Sequence, residues 1–152
     1  MNRDSVRPLL IIQTMNISIS FNEIKDIISK KTNNKINLDF AYVCYNTVKV
    51  SYKPMAFLPA VNVDVQIRGT SNYRIVFSYN SNPAVDMMIR GLASFLDSNI
   101  PKDIVVLDTA AHLAVIYLDK IEQLQKPLEM TELKQICFEE ENVCAEIILK
   151  SN

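Results

Sequence analysis

The run Val61-Asn62-Val63-Asp64-Val65-Gln66-Ile67-Arg68, the turn Gly69-Thr70-Ser71-Asn72 and the run Tyr73-Arg74-Ile75-Val76-Phe77-Ser78-Tyr79 decide the fold class. Successive side chains on a strand point to opposite faces, so a strict apolar/polar alternation describes a strand with one buried and one solvated side. Two such runs joined by a short polar turn predict an antiparallel hairpin. A sheet that is apolar on one side must bury that side against another element.

Amphipathic helices on both sides of the hairpin supply that cover. Ser20 and Glu23 have the spacing of a capping box, and Phe21, Ile24, Ile27 and Ile28 follow on one helical face, with the helix ending near Thr32. Asn82 as N-cap and Pro83 as first helical residue open a second helix, whose Val85, Met88, Ile89, Leu92, Phe95 and Leu96 recur at three- and four-residue steps. Ile36-Leu38-Phe40 and Val48-Val50-Tyr52 alternate as two further strands turned near Tyr45-Asn46. Ala41-Tyr42-Val43-Cys44 is apolar on both sides and reads as part of a central strand.

Lys53 to Pro59 breaks the pattern, because each Pro removes a ladder donor and restricts the residue before it. After the second helix come strands around Ile104 to Leu107 and Leu113 to Leu118, a short helix from Asp119 towards Glu129, and a last hairpin turned at Glu140-Glu141-Asn142. The expected architecture is α+β: a curved antiparallel sheet with two amphipathic helices packed on one face, in the order α-β4-α-β2-α-β2. Residues 1–152 form one domain, residues 1–14 being an extension or a short docking segment.

Composition narrows the chemistry. The 152 residues are 49% hydrophobic, with 16 basic and 17 acidic side chains and a formal charge of -1, so no global basic field exists to neutralise a phosphate backbone. Tyr42, Tyr45, Tyr52, Tyr73 and Tyr79 offer stacking rings, but no RNP-type sequence accompanies them, and no nucleic-acid partner is expected. Only Gly69 and Gly91 occur, against the roughly ten expected at average usage. Phosphate-wrapping loops need several glycines, so P-loop and dinucleotide fingerprints are absent, and turns fall to Asn, Asp and Ser.

No stretch is long and apolar enough for a transmembrane span, and Leu9-Leu10-Ile11-Ile12 is too short for a secretory core. Cys44, Cys137 and Cys144 are odd in number and lack Cys-x-x-Cys spacing, which fits a reduced, cytoplasmic compartment and small buried hydrophobes; Cys137 and Cys144 flank the last turn and would pair only in the right register.

His112 is the single histidine, which excludes a multi-histidine metal site. Asp108 lies four residues before it, but no nucleophile motif accompanies the pair. Asp39 and Asp64 sit on the polar sides of their strands, where such residues are ordinary. The chain is therefore expected to be neither an enzyme nor a cofactor or metal carrier.

The segment Leu92-Ala93-Ser94-Phe95-Leu96-Asp97-Ser98-Asn99-Ile100-Pro101, followed by Ile104 to Leu107 and Leu113 to Leu118, resembles small bacterial relatives of the tubular lipid-binding (TULIP-like) superfamily. The helix and strand meander from Phe21 to Tyr79 is similar in order, so the resemblance covers most of the chain without a diagnostic motif. It implies a highly curved sheet wrapped on a helix, with a groove that takes an acyl chain, and it carries no individual site residue.

The leading expectation is a non-catalytic binding protein that holds a lipid or other amphiphile in an apolar groove lined by Phe57, Val65, Phe77, Met88, Leu92 and Phe95. The alternative is a structural or protein-interaction module with no small-molecule ligand, which docks a protein partner, or a second copy as a homodimer, on an exposed strand edge or the Pro54–Pro59 loop.

Overall fold

The computed structural model describes residues 14–53, 59–71, 73–80, 82–99 and 103–150, apart from the side chains at 92, 93 and 95–99. In chain order these form β1 (Thr14–Ser20), α1 (Phe21–Lys31), β2 (Leu38–Cys44), β3 (Thr47–Tyr52), β4 (Val61–Ser71), β5 (Arg74–Tyr79), α2 (Pro83–Asn99), β6 (Val105–Asp108) and β7 (Leu113–Tyr117). A 3-10 turn (Leu118–Lys120), α3 (Glu122–Met130), β8 (Thr131–Phe138) and β9 (Asn142–Leu149) complete the described chain. The class is α+β with antiparallel pairing throughout.

The strands form two sheets where the alternation alone suggests one. A main sheet runs in the order β2-β3-β4-β5-β7-β6, and a small one in the order β1-β9-β8. Of the segment expected to be an extension or short docking segment, residues 1–13 lie outside the described residues, while Thr14 opens a strand in full register with β9, from Thr14 opposite Ile148 to Ser20 opposite Asn142. The stretch Ala41 to Cys44 also differs from expectation. It belongs to β2, an edge strand, and its two-sided apolar character leaves Val43 exposed rather than covered.

Local signals set the helix ends. The Ser20 hydroxyl oxygen accepts from the Glu23 N–H at 3.1 Å and donates to Glu23 Oε1 at 3.1 Å, while α1 ends at Thr32 with Asn33 and Asn34 in the left-handed region. Asn82 Oδ1 accepts from the Val85 N–H at 2.9 Å, which caps α2. The turn between β2 and β3 is built on Asn46, at φ 58°, as expected of a chain poor in glycine.

One face of the main sheet carries the core. Val63 and Ile67 of β4 and Ile75 and Tyr79 of β5 lie on that face and are buried. Around one half, Phe21, Val48, Ile67 and Phe138 cluster with Phe40, Val65 and Phe77; around the other, Val63, Tyr79, Val85 and Ile89 cluster with Val61, Met88 and Leu107. The first cluster joins α1 and the small sheet to the main sheet, and the second seats the first half of α2. Phe138 is the common aromatic contact, 6.3 Å from Phe21 and 6.3 Å from Phe77 between ring centroids.

Two substitutions test this packing. Phe138→Ala is expected to cost about 3–5 kcal/mol in urea unfolding, as a truncated core aromatic does. Gly91 has nothing within 4 Å of where a Cβ would stand and no positive φ, so Gly91→Ala is expected to stabilise by about 0.5–1 kcal/mol.

Candidate interaction surface

The residues expected to line an apolar groove fall into two groups. Val65, Phe77 and Met88 are described, each in contact with a buried cluster: Val65 touches both clusters, Phe77 stacks on Phe138, and Met88 packs on the second. Val63 is 3% exposed and Val85 is fully buried, so side chains fill the space between β4 and the first half of α2. Phe57 lies outside the described residues. The backbone of α2 is described at Leu92 and Phe95, but their side chains lie outside what is described.

The residues weighed for catalysis have structural partners. Asp108 Oδ1 accepts from the Ala111 N–H at 3.0 Å and so caps the turn between β6 and β7. His112 stands in the left-handed region of that turn, its carbonyl accepts from the Tyr79 N–H at 3.1 Å, and its ring meets Tyr79 edge-on at 5.7 Å. Burial, with Asp86 and Asp108 nearby, pushes the Tyr79 hydroxyl above its ordinary pKa. Asp39 pairs with Lys25 at 2.6 Å beside the β2 edge. Among the described residues no cluster of His, Cys, Asp and Glu could hold a metal ion. The tyrosines share no platform: Tyr42, Tyr52 and Tyr79 lie on the core side of the main sheet, whereas Tyr73 stacks under Lys150.

Cys137 and Cys144 are opposite one another in the β8–β9 ladder, a relation that spacing alone could not fix. Both are free thiols. Cys144 donates to Glu139 Oε1 at 2.7 Å, and that bond, with burial and the Glu139 charge, pushes its pKa from 9.0 to about 11. Burial and Glu139 also raise Cys137. A thiol held protonated is a poor nucleophile, so the pair is chemically quiet at neutral pH.

Where the sheets meet, a shallow cleft of about 210 Å³ is lined by Asn46, Ile67, Arg68, Gly69, Thr70, Lys134, Gln135 and Ile136. The ladder of β4 shifts between Ile67 and Gly69 and that of β8 between Leu133 and Gln135, so Arg68 and Lys134 are the extra residues of two bulges at one seam. The small sheet is tied across this seam by Asn46, whose Oδ1 accepts from the Phe138 N–H at 3.1 Å while its carbonyl accepts from the Ile67 N–H at 2.9 Å.

Sequence reasoning missed the surface formed by the rest of the small sheet. Its apolar side continues from Phe138, Ile136 and Val143 through Ala145 and Ile147 to Met15, Ile17 and Ile19. The core covers only the first part: Met15 is 44% exposed, Ile17 52% and Leu149 40%. The strand at its edge, β1, reads TMNISIS, with neither charge nor Pro. The alternation of Met15, Ile17 and Ile19 was the available signal, but its partner strand lies at the other end of the chain.

No protein-family model, no curated protein and no solved structure matches the chain. Among the described residues no helix is long and apolar enough to cross a membrane.

Alkylation by iodoacetamide followed against pH is expected to show Cys144 half-reacting near pH 11. Glu139→Ala should move that midpoint down; an unchanged midpoint would remove Glu139 as the cause.

Proposed function

We propose that the chain is a non-catalytic binding module that takes an extended polypeptide segment on the β1 edge of the small sheet. The observation that carries this reading is the β1 edge itself: uncharged, free of Pro, and flanked by Met15, Ile17 and Leu149 on an uncovered apolar side. An added strand satisfies an open edge through main-chain hydrogen bonds, while alternate side chains dock on the sheet face and supply specificity. Apolar side chains contiguous across β1 and β9 supply such a face.

The other exposed hydrophobics are more scattered. Among the described residues they are Ile27 on α1, Val43 on β2, Tyr45 in the turn after it, Met87 on α2, Val106 on β6 and Met130 at the end of α3. Single exposed apolar residues are normal on a protein surface, whereas a contiguous set beside an open ladder marks a contact site.

The test places a photo-crosslinking amino acid at Met15, and in a second protein at Lys49 on the polar side of the main sheet, and irradiates each in a lysate of the source cell. Adducts to polypeptide are expected from position 15 and not from 49. Equal labelling at the two positions, or none at either, would contradict the reading. A lipid-mass adduct at 15 would favour an amphiphile instead.

A further inference from the structure

The described strands end in four sheet edges, and three of them carry a device that discourages strand addition. On β2, Asp39 and its partner Lys25 place charge on the edge. The other edge of the main sheet, β6, has four residues and ends in Asp108. In the small sheet β8 carries Glu132 and Lys134, and its ladder is broken by a bulge. Charge, shortness and bulges are the usual protections of edge strands. β1 has none of them: its seven residues are uncharged and its ladder with β9 runs without a register shift.

The direction of its backbone groups follows from one bond. Phe21, next after β1, donates its N–H to the Glu141 carbonyl at 2.9 Å, one step beyond the Ser20–Asn142 pair. In an antiparallel ladder the residues whose N–H and C=O face the partner alternate with those that face away. Ile19, Ile17 and Met15 therefore bond β9, while Ser18 and Asn16 direct their backbone groups outward. Among the described strands, none pairs with them there.

Resting on the edge-binding reading above, we infer that the polypeptide taken by β1 is the β1 strand of a second copy, paired antiparallel about a twofold axis through Ile17. That register sets Asn16 opposite Ser18 of the second copy, the outward-facing residues that must exchange hydrogen bonds. It sets Met15 opposite Ile19 and Ile17 opposite itself, in the closely spaced non-hydrogen-bonded position. Every apolar residue then meets an apolar one and every polar residue a polar one. No like charges face each other across the axis, the hazard of homotypic strand pairing, because the strand has no charge. The two small sheets become one six-stranded sheet with a continuous apolar side, and the open edge is removed in both copies.

Sedimentation equilibrium of the full chain over micromolar to millimolar concentration tests this. A reversible monomer–dimer equilibrium is expected. Ile17→Lys, which sets two ammonium groups across the axis, should raise the dimer Kd at least about tenfold. Its thermal unfolding, measured where both proteins are monomeric, should match the parent, since Ile17 is already half exposed. Val106→Lys, on the β6 edge, should leave the equilibrium unchanged.

Register is read separately. With Cys44→Ser as background, Ile17→Cys should crosslink to dimer under oxidised glutathione, whose reduction accompanies formation of the intermolecular disulfide. Lys49→Cys should not. A monomer throughout the concentration range, or a dimer indifferent to Ile17→Lys, would overturn the inference. If position 15 nevertheless captures a different polypeptide in the photo-crosslinking experiment, the edge-binding reading stands without the second copy.

Discussion

The Phe138 ring is the contact on which the arrangement of the two sheets depends. It meets Phe21 at the start of α1 and Phe77 on the main sheet, and Phe21 in turn lies 5.9 Å from Phe40. One continuous aromatic row thus joins α1, the small sheet and two strands of the main sheet, and offset and edge-on ring pairs contribute beyond the area they bury. Asn46 fixes the same place in the backbone, bonding Phe138 with its side chain and Ile67 with its carbonyl. Anchoring at the turn end of the β8–β9 hairpin leaves Met15, Ile17 and Leu149, farther along the small sheet, exposed.

The free surface follows from that geometry. The apolar side of the small sheet is longer than the part seated on the core, so Met15, Ile17 and Leu149 extend past the contact zone. Its outer strand comes from the beginning of the described chain and pairs with the end of it, closing a loop that spans both the main sheet and α2. Evolution commonly protects such an edge with charge, a bulge or a Pro; here the protected edges are the other ones. The binding role proposed for β1 rests on the core contact, the exposed apolar residues and the unguarded edge taken together.

Much of this was legible in the sequence. The alternation from Val61 to Tyr79 specified the central hairpin, and Ser20 with Glu23 and Asn82 with Pro83 specified the helix starts, because each is a local signal. The division into two sheets was not legible. Alternation says which side of a strand is dry but not which sheet that side faces, and the pairing of Thr14 with Ile148 is as non-local as the described chain allows. For the same reason the edge position of β2 was misread from two-sided apolar character, and the facing of Cys137 and Cys144 waited on the register. Of the groove residues, Val65, Phe77 and Met88 were legible as apolar positions; their contacts with the clusters depend on how α2 and Phe138 approach the sheet.

Residue-resolved amide hydrogen exchange, at a concentration where the chain is monomeric, tests the account most directly. An anchored small sheet with an open edge requires the Phe138 amide, bonded to Asn46, and the Ile17 amide, bonded into the β9 ladder, to be strongly protected, with the neighbouring Asn16 and Ser18 amides exchanging fast. Alternating protection along β1 is the expected result. Equal protection of Asn16, Ile17 and Ser18 in the monomer would contradict it, since the outer side of the strand would then already be covered by the chain itself.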